Sequence, residues 1–225
     1  MANTETTINA VVNPHTNDAP IDIEKTIQAL ERNNFVVRYF ETGHEATAYL
    51  KSRIQHKRVA LGDSHTLLEL GVYDALCEVN EDVTDIHRPL PGESFRETAL
   101  RTMGRDVFLT SVNALAQTGE MVNIDGTGNR IAASLFGSEE VFFVLGRNKI
   151  TPDLASAIYR ARNTAAPLNS KKNKKSSINP CAKLEEKCYD CSSPDRICNA
   201  LTIYYKKMRN MQTMEVIIIN EDLGF

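Results

Sequence analysis

The chain has 225 residues, 42% of them hydrophobic and 24% charged, with a formal net charge of −3. That length can bury a substantial core in one large domain or two small ones, and the composition is that of a globular protein. The weakly acidic balance excludes a general attraction to nucleic acid or anionic membrane, so any basic patch must be local. The longest apolar runs, Val141–Leu145 and Val216–Ile219, are far too short to span a bilayer as a helix. The opening Met1-Ala2-Asn3-Thr4-Glu5-Thr6-Thr7 lacks the basic start and apolar core of a secretory signal, so the expectation is a soluble, cytoplasmic protein.

Residues 1–20 are polar and aperiodic and read as a loose arm. Ile23, Ile27 and Leu30 then recur at helical spacing. Phe35–Phe40 is β-branched and aromatic, which predicts a strand. Thr42-Gly43-His44-Glu45 fits a capping box, opening a helix with Ala46, Tyr49, Leu50 and Ile54 on one face. Arg58–Leu61 predicts a strand ending at Gly62. A helix follows from about Thr66 with Leu67, Leu68 and Leu70 as its apolar face. Gly71 breaks it, and Val72, Leu76 and Val79 continue on a second piece, with Cys77 expected in the core.

The alternation continues downstream. Val83–Ile86 predicts a short strand, Glu93–Met103 a helix and Asp106–Thr110 a strand. Ser111–Ala116 is read as a short helix or turn, and Met121–Ile124 as a strand. Gly128–Phe136 predicts a helix, Val141–Leu145 a strand and Pro152–Arg162 a helix. Such alternation implies βαβ units, hence a mainly parallel sheet with helices on both faces, in a single domain over residues 21–225. A Lys- and Cys-rich segment covers residues 165–200. Leu201–Tyr205 and Glu215–Ile219 predict two closing strands, expected as an antiparallel addition to the sheet.

Open parallel sheets bind ligands beyond the carboxyl ends of their strands. One strand-end loop, Gly62-Asp63-Ser64-His65, offers close backbone approach and a hydroxyl. A second, Asn123-Ile124-Asp125-Gly126-Thr127-Gly128-Asn129-Arg130, gathers glycines, a hydroxyl, amides and a guanidinium just before a helix. That set suits a phosphate or carboxylate. A third, Gly146-Arg147-Asn148-Lys149, adds two cations. The candidate ligand-binding residues are Gly62, Asp63, Ser64, Asn113, Asn123, Asp125, Gly126, Thr127, Gly128, Asn129, Arg130, Arg147 and Lys149. Glu120 and Asp125 are the candidate catalytic carboxylates. The bland alternatives are caps and turns: Ser64 before a helix, Asp125-Gly126 as a simple turn dipeptide, Arg147 and Lys149 as solvated loop cations.

Cys181, Cys188, Cys191 and Cys198 have the spacing C-x6-C-x2-C-x6-C. Four thiolates suit zinc or an iron–sulfur cluster, and Lys183, Lys187 and Arg196 would favour the thiolates. The alternative is a set of reduced cysteines with one redox-labile pair. The run Lys171–Lys175 reads as a solvated loop rather than a nucleic-acid site.

The run from Thr118 to Lys149, T-G-E-M-V-N-I-D-G-T-G-N-R-I-A-A-S-L-F-G followed by V-F-F-V-L-G-R-N-K-I, resembles the LUD domain family, which is associated with lactate utilisation. The tail P-C-A-K…C-Y-D-C-S-S-P-D-R-I-C-N, ending E-D-L-G-F, is similar to that of single-domain members. The resemblance implies a fold like that of the ribose-phosphate isomerases, glucosamine-phosphate deaminases and CoA transferases (a NagB/RpiA/CoA-transferase-like fold), a small anionic metabolite as ligand, and a link to an iron–sulfur oxidoreductase. Ser111–Gly128 also aligns without gaps to a stretch of the methylthioribose-phosphate isomerases, whose acid/base aspartate falls on Asn113 here. An amide cannot transfer a proton as a carboxylate does, which argues against that isomerisation. Three functions follow: a LUD-type protein of organic-acid metabolism, acting as an enzyme or as a subunit of a redox assembly; a metabolite-sensing module without turnover; or a phosphosugar or CoA enzyme of the same fold. A homo-oligomer is compatible with each.

Overall fold

In the computed structural model, which describes residues 21–173, 178–184 and 187–225, parallel strands form the centre of the molecule. The first half of the chain supplies α1 (Ile23–Arg32), β1 (Val36–Phe40), α2 (Gly43–Arg53), β2 (Arg58–Leu61), α3 (His65–Glu69), α4 (Val72–Cys77), β3 (Asp82–Asp85), α5 (Phe95–Arg101) and β4 (Val107–Thr110). Then come β5 (Ala114–Ala116), β6 (Met121–Asp125), α6 (Asn129–Leu135), β7 (Glu140–Gly146), β8 (Ile150–Thr151) and α7 (Leu154–Arg160). A π-helical turn, Ala161–Ala165, links α7 to α8 (Ala166–Lys172). α9 (Pro180–Leu184), β9 (Ala200–Tyr204) and β10 (Thr213–Ile219) complete the fold.

Six strands pair in the order β1-β10-β7-β4-β2-β3, every neighbouring pair parallel. The sheet is covered on both faces, as its apolar strands require. Along β7 the side chains alternate: Val141, Phe143 and Leu145 join the core on one face, where Leu30 and Ala133 pack. Phe142 and Val144 join the other, with Ala46, Leu50, Leu67, Val72 and Leu76. Local signals set the helix ends. Thr42 and Glu45 form the expected capping box, and Gly71 takes the left-handed conformation (φ 64°) that separates α3 from α4.

A second sheet, β8-β5-β6-β9, packs on α7 around its own small core. It changes three expectations. Ala114–Ala116 is a buried strand rather than a helix or turn, because it pairs antiparallel with β6 and parallel with β8. Only β9 is an antiparallel addition, and it joins β6 of the second sheet. β10 lies inside the main sheet, parallel to both β1 and β7, where Val216–Ile219 is buried on both faces.

Two expected core side chains are exposed: Cys77 and Leu68 point outward from short helices whose buried faces are Leu76 with Val72 and Leu67 with Thr66. The loose arm expected over residues 1–20 lies outside the described residues, as do Lys174 and Lys175 of the lysine run. Lys171 and Lys172 end α8 instead of lying in a loop. No described helix is long and apolar enough to cross a membrane.

Candidate functional site

β2, β4 and β7 are neighbours and parallel, so their carboxyl ends share one edge of the main sheet. That edge receives Gly62–His65 after β2, Ser111–Asn113 after β4 and Arg147–Lys149 after β7. β6 of the second sheet ends beside them at Asp125. The result is a cleft of about 170 Å³. Asp63, Ser64 and His65 line it from the first loop, and Asn113 from the second. Asp125, Gly126, Thr127, Asn129 and Arg130 line it from the loop after β6, and Lys149 from beyond β7.

The loop after β6 is held by its own aspartate. Asp125 Oδ1 accepts hydrogen bonds from the amides of Thr127 (3.0 Å) and Gly128 (2.9 Å). Its other oxygen is buried without a hydrogen-bond partner and lies 3.6 Å from Arg130 Nε. Gly128 adopts a positive φ of 87° to start α6. Arg130 leans back over the loop, donating to Ile124 O (2.5 Å) and, at longer range, to Asn113 Oδ1 (3.4 Å) and Asp63 O (3.5 Å). Asn113 Oδ1 also accepts from the Ile124 amide (2.7 Å). The position onto which the isomerases' acid/base aspartate falls therefore holds an amide that braces the loop.

Three predicted residues support the cleft from behind. Asn123 is fully buried; its Oδ1 accepts from the Asn113 amide (3.0 Å) and its Nδ2 donates to Ser111 O (3.2 Å). Gly62 is required by close packing, since a Cβ there would lie 2.8 Å from the Phe108 ring and 3.3 Å from Arg130 Cγ. Gly128 sets the turn. Arg147 lies elsewhere: it donates to Asp222 Oδ1 (3.1 Å) and Asn220 Oδ1 (3.3 Å) and ties down the C-terminal segment. Glu120 sits at the opposite end of β6 from Asp125, about 17 Å away by strand rise, in a turn where Thr118 donates to it.

Lys149 is the most unusual group. It is 3% exposed, and its Nζ donates to Thr66 Oγ1 (2.8 Å) and Ser111 Oγ (3.0 Å). Burial, then the like charges of Arg160 and Arg130, lower its pKa to about 7, with Glu69 opposing weakly. Arg160 has a similar setting. It donates to Asn148 O (3.0 Å) and Asn113 O (2.5 Å), both neutral acceptors, and burial lowers its pKa to about 10.

At the lip, His87 Nε2 pairs with Asp63 Oδ1 at 3.1 Å. That hydrogen bond raises the His87 pKa. Burial would push Asp63 up, but the His87 bond and charge hold it below its ordinary value. Burial and the Lys172 charge lower His65. Thr66, Ser111, Arg160 and Phe225 escape sequence reasoning. Phe225 lines the cleft with its ring 4.5 Å from that of His65 and Lys172 4.4 Å above it. An E-D-L-G-F tail signals no such contact by itself.

The LUD domain family model matches residues 23–219, nearly the whole chain. The chain belongs to the LUD domain family. A crystal structure of a DUF162 family protein from Deinococcus radiodurans is similar to this LUD domain over 88% of this chain and 95% of that one, with a TM-score of 0.50. At 12% sequence identity that likeness shows the fold alone. No curated protein matches this chain.

The cysteine-bearing segment of this LUD domain clasps the back of the cleft loop. The Asn199 amide donates to Asp125 O (3.0 Å) and its side chain to Gly126 O (2.9 Å). A Cβ on Gly126 would lie 3.0 Å from Ile197 O and 3.1 Å from Ile197 Cα, so a larger residue there requires the clasp to give by a few tenths of an ångström. Arg162 reaches Cys188 Sγ (3.8 Å), and Asn163 of the same π-helical turn accepts from the Cys188 amide (3.0 Å).

Arg196 Nε lies 3.2 Å from Cys198 Sγ. Burial nevertheless raises the Cys198 pKa, with Cys188 and Cys191 adding to it. Cys181 lies on α9. Among the described residues no group of three or more His, Cys, Asp or Glu side chains is arranged to hold a metal ion. As placed, the thiols do not fit the four-thiolate site that their spacing suggests.

Proposed function

We propose that this LUD domain binds a small carboxylate or phosphate metabolite in the cleft at the strand ends. The observation that carries this reading is two cations, the buried Lys149 and the half-buried Arg160, whose side-chain hydrogen bonds among the described residues end on neutral oxygens. Buried charges are normally paired, and an unpaired cation lowers its own pKa instead. With Arg130 they make a positive field that Asp63 and Asp125 offset only in part, since Asp63 is engaged by His87. An anion entering the cleft would relieve that field.

Arg130 supplies a guanidinium for a planar oxyanion. Ser64, Thr127 and Asn129 supply neutral hydrogen-bonding groups around it. The volume of about 170 Å³ suits a ligand of few heavy atoms, well below the roughly 300–1,000 Å³ of drug-sized pockets.

The family's association with lactate utilisation favours an organic acid, and a cytoplasmic role beside an iron–sulfur oxidoreductase belongs to the same reading. Support for a redox partner comes from Cys188 and Cys198, which line a second cavity of about 300 Å³ with Arg162 and Arg196 on the far side of the cleft loop. Thermal-shift measurements with lactate, pyruvate, sugar phosphates, nucleotides and CoA esters test the proposal. A small carboxylate or phosphate should raise the Tm of the wild type and much less that of Arg130→Ala. Equal shifts in both proteins would remove the cleft as the site.

A further inference from the structure

We infer that Lys149 is a nucleophilic amine that forms an imine with the carbonyl carbon of a small oxo acid held in the cleft. This rests on the anion-binding reading above and names its substrate class.

The first support is the partner set. The Lys149 amine has two hydroxyl partners and no carboxylate within ion-pairing distance among the described residues. Glu69, the acidic group that acts on it, is itself engaged by the Gly224 amide at 2.7 Å. A carboxylate contact would lock the nitrogen as ammonium. Hydroxyls do not: each can accept from an ammonium or donate to the lone pair of a neutral amine. Thr66 Oγ1 and Ser111 Oγ lie 3.4 Å apart, so the pair grips one nitrogen from two sides.

The second support is position. Lys149 lines the cleft although only 3% of it is exposed. The side chain is almost wholly enclosed, yet the residue borders the ligand space. A desolvated lysine surrounded by other cations is the setting in which an amine becomes a nucleophile near neutral pH. The lowered pKa of about 7 agrees. A lysine serving only as a charge anchor gains nothing from losing its charge so readily.

The third support is complementarity. An oxo acid presents a carboxylate beside an electrophilic carbon, and the cleft presents Arg130 beside a neutral amine. In the reaction the nitrogen lone pair forms the C–N bond. The carbonyl oxygen then leaves as water, carrying the two amine hydrogens, and a C=N bond remains. No oxidant or reductant takes part.

The test is reductive trapping on the full chain. Wild-type protein is incubated with pyruvate or glyoxylate and cyanoborohydride, and the reduced adduct is located by peptide mass mapping. The expected result is one predominant adduct at Lys149, absent from Lys149→Arg and diminished in Arg130→Ala. Excess lactate, which has the carboxylate but no carbonyl at the neighbouring carbon, should protect the wild type; that arm needs no variant to fold. Adducts spread over surface lysines, or the same yield in Lys149→Arg, would overturn the inference. If lactate or pyruvate raises the Tm in an Arg130-dependent way and no adduct appears at Lys149, the imine falls and anion binding stands. If no anion shifts the Tm and no adduct forms, both fall.

Discussion

Replacing Lys149 by methionine should stabilise the fold at neutral pH and flatten its pH dependence. The amine changes from an ordinary value of 10.5 to about 7 on folding. Below pH 7 both states carry the proton, so the folded state bears the full cost of a buried charge. Between pH 7 and 10.5 the unfolded chain holds more protons than the folded one, and stability rises with pH. Linkage applied to these two values gives a gain of about 2 kcal/mol between pH 7 and pH 9. Methionine keeps most of the chain length and loses the charge, while Thr66 and Ser111 are left to bond each other.

Urea denaturation of both proteins across this range isolates the effect, because their other titrating groups are shared. The stability advantage of Lys149→Met should be largest at or below pH 7 and shrink by about 2 kcal/mol by pH 9. An advantage that does not change with pH would refute the claim that the buried amine titrates near neutrality.

Three further outcomes follow from the cleft. Asn123→Ala removes a buried amide that joins Ser111 to Asn113, leaving the Asn113 amide without that acceptor. It should cost about 1–3 kcal/mol in chemical denaturation, and a change within error would mean the amide does not hold the cleft wall. Asp125→Ala deletes the acceptor of two loop amides and should cost about 1 kcal/mol, as loss of a cap does. It should also loosen Arg130, visible as faster amide exchange at Thr127 and Gly128; unaltered exchange would contradict this. Gly126→Ala drives a methyl group against Ile197 and should lift the clasp, so that Cys198 reacts faster with a thiol reagent. Unchanged thiol kinetics would show that the clasp does not depend on this close approach.

The main sheet was legible because its strands carry local signals. Val141–Leu145 is apolar throughout, as a strand buried on both faces must be, and Thr42 with Glu45 announced the start of α2. The place of β10 was not legible. An apolar run says that Ile217 and Ile219 are buried but not which neighbours they pair with, and that choice belongs to topology. The second sheet was missed for the same reason: Ala114–Ala116 is too short to show a period and becomes a strand only by pairing with β6 and β8.

The cleft loop was visible as Asp125-Gly126-Thr127-Gly128-Asn129-Arg130, because glycines and polar groups before a helix are a local pattern. In sequence Lys149 is legible as a residue just past a strand, but its burial is not. It is covered by Thr66 and Ser111, whose hydroxyls come from separate loops that only the fold brings together. Arg147, two residues away, looks equivalent in sequence and faces Asp222 instead.

Calorimetric titration of a small carboxylate into wild type and Arg130→Ala at pH 7 tests the central claim most directly. The account predicts binding to the wild type and a Kd at least about tenfold weaker in the variant, equivalent to about 1.4 kcal/mol. Equal affinity in both proteins would contradict the assignment of this cleft as an anion site.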